Sequence, residues 1–106
     1  QIGNMLYTSG QIPLDKHGNL AGEDIVSQTH QVMKNLVAIL TEANTNTSHI
    51  VKTTCFLSDM NNFAAFNEVY AQYFDTVVPA RSCVQVARLP RDVLVEVEAI
   101  AIISSI

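Results

Sequence analysis

The chain has 106 residues, 48% of them apolar and 15% charged, with a formal net charge of −4. That length suits one domain with a modest core, and the composition excludes a disordered chain. The acidic balance supplies no basic footprint for nucleic acid, and the absence of a spanning-length apolar run or a signal-peptide pattern leads us to expect a cytoplasmic protein with no membrane partner.

Asn4 to Pro13 reads as a strand rich in β-formers that ends at Pro13, and Leu-Asp-Lys-His-Gly-Asn-Leu after it is turn chemistry. From about Asp24 to Ala43, Ile25, Val32, Leu36, Leu40 and Ala43 recur at helical spacing, with Val26, Met33 and Val37 widening the stripe. Polar Asn44 to Ser48 closes that helix. His49 to Leu57, with Ile50, Val51, Thr53 and Thr54, predicts a second strand, and about Asn61 to Phe74 a second helix. The aromatic stripe of that helix (Phe63, Phe66, Tyr70, Tyr73) is expected to pack in the core rather than to hold a cofactor.

Ala80 to Ala87 and Val93 to Ile103 are the last two predicted strands, joined by a Leu-Pro-Arg-Asp turn. The order β-α-β-α-β-β implies a single α+β domain over 1–106, one sheet with two helices on one face. In the last strand Val93, Val95, Val97, Ala99 and Ala101 alternate onto one face, suited to packing beneath helices. Leu94, Glu96, Glu98, Ile100 and Ile102 take the other. Two helices cannot cover both sides, so another subunit is expected there, and an oligomer follows.

Arg81 heads the candidate residues, because a guanidinium fork matches a carboxylate in two parallel hydrogen bonds. A salt bridge to Glu96 or Glu98 across the subunit seam is the structural alternative. Arg88 and Arg91 are close enough in sequence to make a local basic pocket with Arg81 possible. Glu96 and Glu98 share a strand face, where one could handle a water while the other holds a cation; from spacing alone they are not ranked. Cys83 shares the face of Arg81 but has no converging histidine among His17, His30 and His49, so a packing or site-lining role is expected. Cys55 and Cys83 are expected as reduced thiols. The histidines lack metal-ligand spacing, no metal is expected, and four glycines form no phosphate loop.

Thr8-Ser9-Gly10-Gln11-Ile12-Pro13, Ile50-Val51-Lys52-Thr53-Thr54, Phe-Asn-Glu-Val-Tyr at 66–70, Pro79-Ala80-Arg81-Ser82-Cys83-Val84 and Glu-Val-Glu-Ala-Ile-Ala at 96–101 together resemble the RidA/YjgF family of reactive intermediate deaminases. The resemblance runs in order over nearly the whole chain. It implies a chorismate-mutase-like fold, a homotrimer with sites between subunits, and hydrolysis of 2-imino acids such as 2-iminopropanoate/2-aminoacrylate and 2-iminobutanoate to 2-oxo acids and ammonia, without a cofactor. By the same resemblance Arg81 binds the substrate carboxylate and Glu96 positions or activates water. Cys83, Ser9 and Gly10 border the cleft, Asn67 helps close it, and Glu98 is a second, more structural carboxylate. Two departures are expected to matter. The chain starts past the family's first strand, whose tyrosine reaches the site, and the segment Phe74–Val78 is short. A non-catalytic binder of small carboxylates, a regulator of the 2-oxo acid type, is the alternative reading; RNA cleavage is a weaker third.

Overall fold

Asp24 starts the longest element of the chain: its carboxylate accepts from the Ser27 backbone N–H, capping helix α1 (Ile25–Glu42). The computed structural model describes residues 1–103. Around α1 it places strands β1 (Met5–Tyr7), β2 (Ile50–Leu57), β3 (Ala80–Gln85) and β4 (Val95–Ile102), and helix α2 (Phe63–Ala71) between β2 and β3. This is the β-α-β-α-β-β order and the α+β class that the periodicity implies.

The sheet runs β1-β4-β2-β3. β2 and β3 are parallel, as the intervening α2 requires, while β4 is antiparallel to both β2 and β1. Register decides which side chains meet the helices. Thr53 pairs with Ala99 and Arg81, and Cys55 with Val97 and Cys83, so all six point to one face. On that face Val95, Val97, Ala99 and Ala101 are buried against Val32, Met33, Leu36 and Leu40 of α1 and Phe66 and Tyr70 of α2. Burying these aliphatic and aromatic groups is the main stabilising term. Gln28, buried beside them, is satisfied on both ends: its amide donates to the Gly22 carbonyl and accepts from the Leu94 N–H.

The other face carries no helix. Tyr7 is 57% exposed there and Val84 45%, with Phe56, Glu96, Glu98 and Ile100 half-buried around them. The sequence pattern of β4 has therefore sorted as expected, including the uncovered side.

Several element boundaries differ from the sequence expectation; β3 stops at Gln85 rather than Ala87, and β4 starts at Val95 rather than Val93. Regular pairing in the first strand stops at Tyr7. Beyond it Thr8 still donates to Ala99, but the next bonds join Gln11 and Val97. Three steps on one strand match two on β4, which is a bulge at Ser9 and Gly10. α2 ends at Ala71 rather than Phe74, because β-branched Val77 and Val78 and the residue-before-proline restriction at Pro79 demand extended chain. Tyr73 consequently leaves the aromatic stripe: its hydroxyl lies 2.9 Å from His30 Nδ1 on α1, and the two rings meet edge-on. Phe74 takes its place against Tyr70, with centroids 4.8 Å apart. The Leu-Pro-Arg-Asp turn is a single 3₁₀ turn, Pro90–Asp92, in which Arg91 and Asp92 both adopt left-handed φ.

Candidate functional site

Arg81 stands on the edge strand β3 with its side chain directed under α2. Its Nη1 donates to Oδ1 of Asn67, and its Cζ lies 5.3 Å from the Phe63 ring centroid and 4.9 Å from that of Tyr70. Tyr70 is itself held from behind by a 2.7 Å hydrogen bond between its hydroxyl and Thr53 Oγ1. Asn67, Tyr70, Ala71, Val78, Pro79 and Arg81 line a cleft of about 380 Å³. A half-buried guanidinium at such a cleft, with a neutral amide as its hydrogen-bond partner, retains a full charge for an anionic ligand.

Cys83 lies two residues along the same face, beside Cys55. Burial raises the Cys83 thiol pKa, against a smaller lowering by Arg81. Cys55 is pushed up to about 12, chiefly by burial. Both are free thiols, and the raised pKa values disfavour the thiolate at neutral pH.

Glu96 belongs to a second constellation. A Cβ on Gly10 would run into Glu96 Oε2, so the carboxylate occupies the space a side chain would need. The bulge at Ser9 and Gly10 brings the backbone up to this carboxylate. Burial first, and the neighbouring Glu98 charge second, raise the Glu96 pKa above its ordinary 4.5. Such a group exchanges protons closer to neutrality than a free glutamate does.

The two constellations do not meet within one chain. Arg81 is registered with Thr53 on the helix-covered face, whereas Glu96 pairs with Phe56 and Glu98 with Thr54 on the uncovered one. Asn67 and Cys83 thus join Arg81, and Ser9 and Gly10 join Glu96. The alternative of an Arg81 salt bridge to either glutamate is not realised inside the protomer; among the described residues the only ion pair is Arg88–Asp92. Nor do the three arginines converge. Arg88 takes Asp92, Arg91 takes the Gly18 carbonyl, and Arg81 takes Asn67.

Phe63 and Tyr70 were expected only as core. Their contact with Arg81 has no local sequence signal, because it depends on how α2, the crossover between parallel β2 and β3, lies on the sheet.

A family model described as Endoribonuclease L-PSP matches residues 1–103. RutC family protein PH0854 of Pyrococcus horikoshii is 52% identical over 102 residues, covering 95% of this chain and 81% of that protein. A Salmonella typhimurium protein named 2-iminobutanoate/2-iminopropanoate deaminase is 46% identical over 104 residues, covering 95% and 81%. Escherichia coli TdcF, solved with bound serine, is 45% identical with a TM-score of 0.91, covering 98% of this chain and 84% of that one. With a family model spanning the described chain and relatives near half identity over almost all of it, the chain belongs to the RidA/YjgF family, the one that the Endoribonuclease L-PSP model describes.

Proposed function

We propose that this protein hydrolyses small 2-imino acids and their enamine tautomers, such as 2-iminobutanoate and 2-iminopropanoate, to 2-oxo acids and ammonia. The observation that carries the reading is the Arg81 guanidinium, held at a cleft by the neutral amide of Asn67 and two aromatic faces. It offers its remaining donors to a substrate carboxylate. The name of the Salmonella relative supports the reaction class, and the serine bound to TdcF supports a small ligand of the amino-acid kind.

Arg81 and Glu96 occupy opposite faces of one sheet, so we place the working site between subunits of a homotrimer, where Arg81 of one faces Glu96 of the next. Asn67 and Cys83 border the first half, Ser9 and Gly10 the second. Arg81 fixes the carboxylate, which sets the imine carbon beside a water held by Glu96. Glu96 accepts a proton as the water oxygen bonds to that carbon, giving a carbinolamine. Glu96 returns that proton to nitrogen, and the carbinolamine hydroxyl proton then follows to nitrogen as the C=O bond forms and the C–N bond breaks, releasing ammonia and leaving the 2-oxo acid. Water and proton transfer suffice for the balance. Positioned acid–base help of this kind is typically worth about 10²- to 10⁴-fold.

The test is ammonia and 2-oxobutanoate release from freshly generated 2-iminobutanoate. We expect acceleration by the wild type and a loss of about 100-fold or more in Arg81→Ala and in Glu96→Gln. A wild type no faster than buffer would overturn the reading; if it still bound 2-oxobutanoate through Arg81, a carboxylate-binding module would replace it.

A further inference from the structure

We propose that Phe63 and Tyr70, with Thr53 behind Tyr70, are positioning residues for Arg81, a charge-neutral clamp that orients the guanidinium for a carboxylate without consuming its charge. The proposal deepens the preceding one and rests on its reading of Arg81 as the carboxylate grip.

A long arginine side chain in a half-open cleft samples many rotamers unless something holds it, and ordering it at the moment of binding weakens the ligand. Proteins often fix such a group with an aspartate or glutamate. Here that solution would place a permanent anion where the substrate anion has to sit, neutralising the site and competing with the ligand. The structure uses neutral groups instead. The guanidinium carbon is within 5.3 Å of the Phe63 centroid and 4.9 Å of the Tyr70 centroid, distances at which the negative ring face attracts a cation. Asn67 Oδ1 fixes one nitrogen.

The clamp is stiff because its own parts are fixed. Tyr70 is 3% exposed, its ring packs on Phe66 at 5.4 Å and on Phe74 at 4.8 Å, and its hydroxyl shares a buried hydrogen bond with Thr53. Thr53 is the β2 residue registered with Arg81, so the strand pair that carries the arginine also anchors the ring over it. Register, ring and guanidinium form one closed loop of contacts.

The experiment measures 2-oxobutanoate binding by calorimetry, and KM and kcat for 2-iminobutanoate, on oligomer of wild-type size and circular dichroism. Phe63→Leu should weaken binding and raise KM about tenfold, with kcat changed less than about threefold, since a cation–π contact is a ground-state positioning term. Phe63→Tyr, which keeps a ring, should restore both. Asn67→Asp is the charge test: it should weaken the oxo acid more than Asn67→Ala does, although it preserves the contact to Arg81. A merely structural role for Asn67 predicts the reverse order. In the free protein, the Arg81 Nε–Hε proton should show an upfield ring-current shift that Phe63→Leu reduces. A wild type that binds and turns over, with Phe63→Leu unaltered and Asn67→Asp no worse than Asn67→Ala, overturns the clamp alone. A wild type that neither binds the oxo acid nor hydrolyses the imine overturns the clamp and the proposed function together.

Discussion

Gly10 shows how far a single residue can matter without taking part in chemistry, because it leaves room for the Glu96 carboxylate. Gly10 lies outside the left-handed region, so alanine fits its backbone, and an added Cβ would conflict only with the Glu96 side chain. Gly10→Ala should therefore fold with a melting temperature near wild type while displacing Glu96, and imine hydrolysis should fall toward the Glu96→Gln level; an alanine variant with full turnover would show that the carboxylate's place is immaterial. Titration of Glu96 supplies a second check. Its pKa is raised by burial first and by Glu98 second. A reaction that needs the carboxylate is lost as pH falls through this raised value, and Glu98→Gln should move the acid limb of kcat/KM to lower pH. The stability sign is opposite. A raised carboxyl contributes stability fully present below the unfolded value, near 4.5, and lost as pH rises through the folded one. Glu96→Gln should accordingly gain in thermal stability relative to wild type at pH 7 and show no such gain near pH 3. At this scale the motifs made Arg81, Glu96, Ser9, Gly10, Asn67 and Cys83 legible as candidates. The clash behind Gly10 was not, because it depends on a bulge that shifts the strand by one residue.

At the scale of elements, α1 was readable almost to the residue. Its apolar stripe, the Asp24 cap and the polar stretch after Ala43 are all local signals, and the observed bounds are Ile25–Glu42. Leu36 sits in the middle of that stripe with no exposed surface. Leu36→Ala should cost about 3 kcal/mol in urea unfolding, the usual range for a core leucine truncated to leave a cavity; a cost below about 1 kcal/mol would mean that α1 packs more loosely than its burial indicates. α2 was less legible. Its period persists through Tyr73, but the chain must straighten to enter β3, and Tyr73 turns to His30 instead. Periodicity reports what a helix would bury, and not where the next element forces it to end.

For the whole molecule, the decisive fact is that Arg81 and Glu96 lie on opposite faces of one sheet. If working sites form between subunits, each mutant subunit lacks a different half. Co-refolding Arg81→Ala with Glu96→Gln should then restore roughly a quarter of wild-type turnover at equal mixing, from the sites that draw both intact halves. No restoration would mean that both residues act from one chain. The uncovered face should also respond to charge. Val84, 45% exposed on it, can be replaced by glutamate with little effect on the protomer's core; if that face is a subunit interface, Val84→Glu should yield monomers in sedimentation, and an unchanged oligomer would place the interface elsewhere.

By itself the sequence determined the element order, the α+β class, the two faces of β4 and the candidate residues, because these follow from periods of two and 3.6 and from motifs contiguous in the chain. Only the tertiary structure decided which candidates meet. Strand order and register set Arg81 with Asn67 and apart from Glu96, turned an aromatic stripe into the setting of a cation, and brought Gly10 against Glu96. Those relations depend on hydrogen bonds between segments tens of residues apart, and no local pattern encodes them.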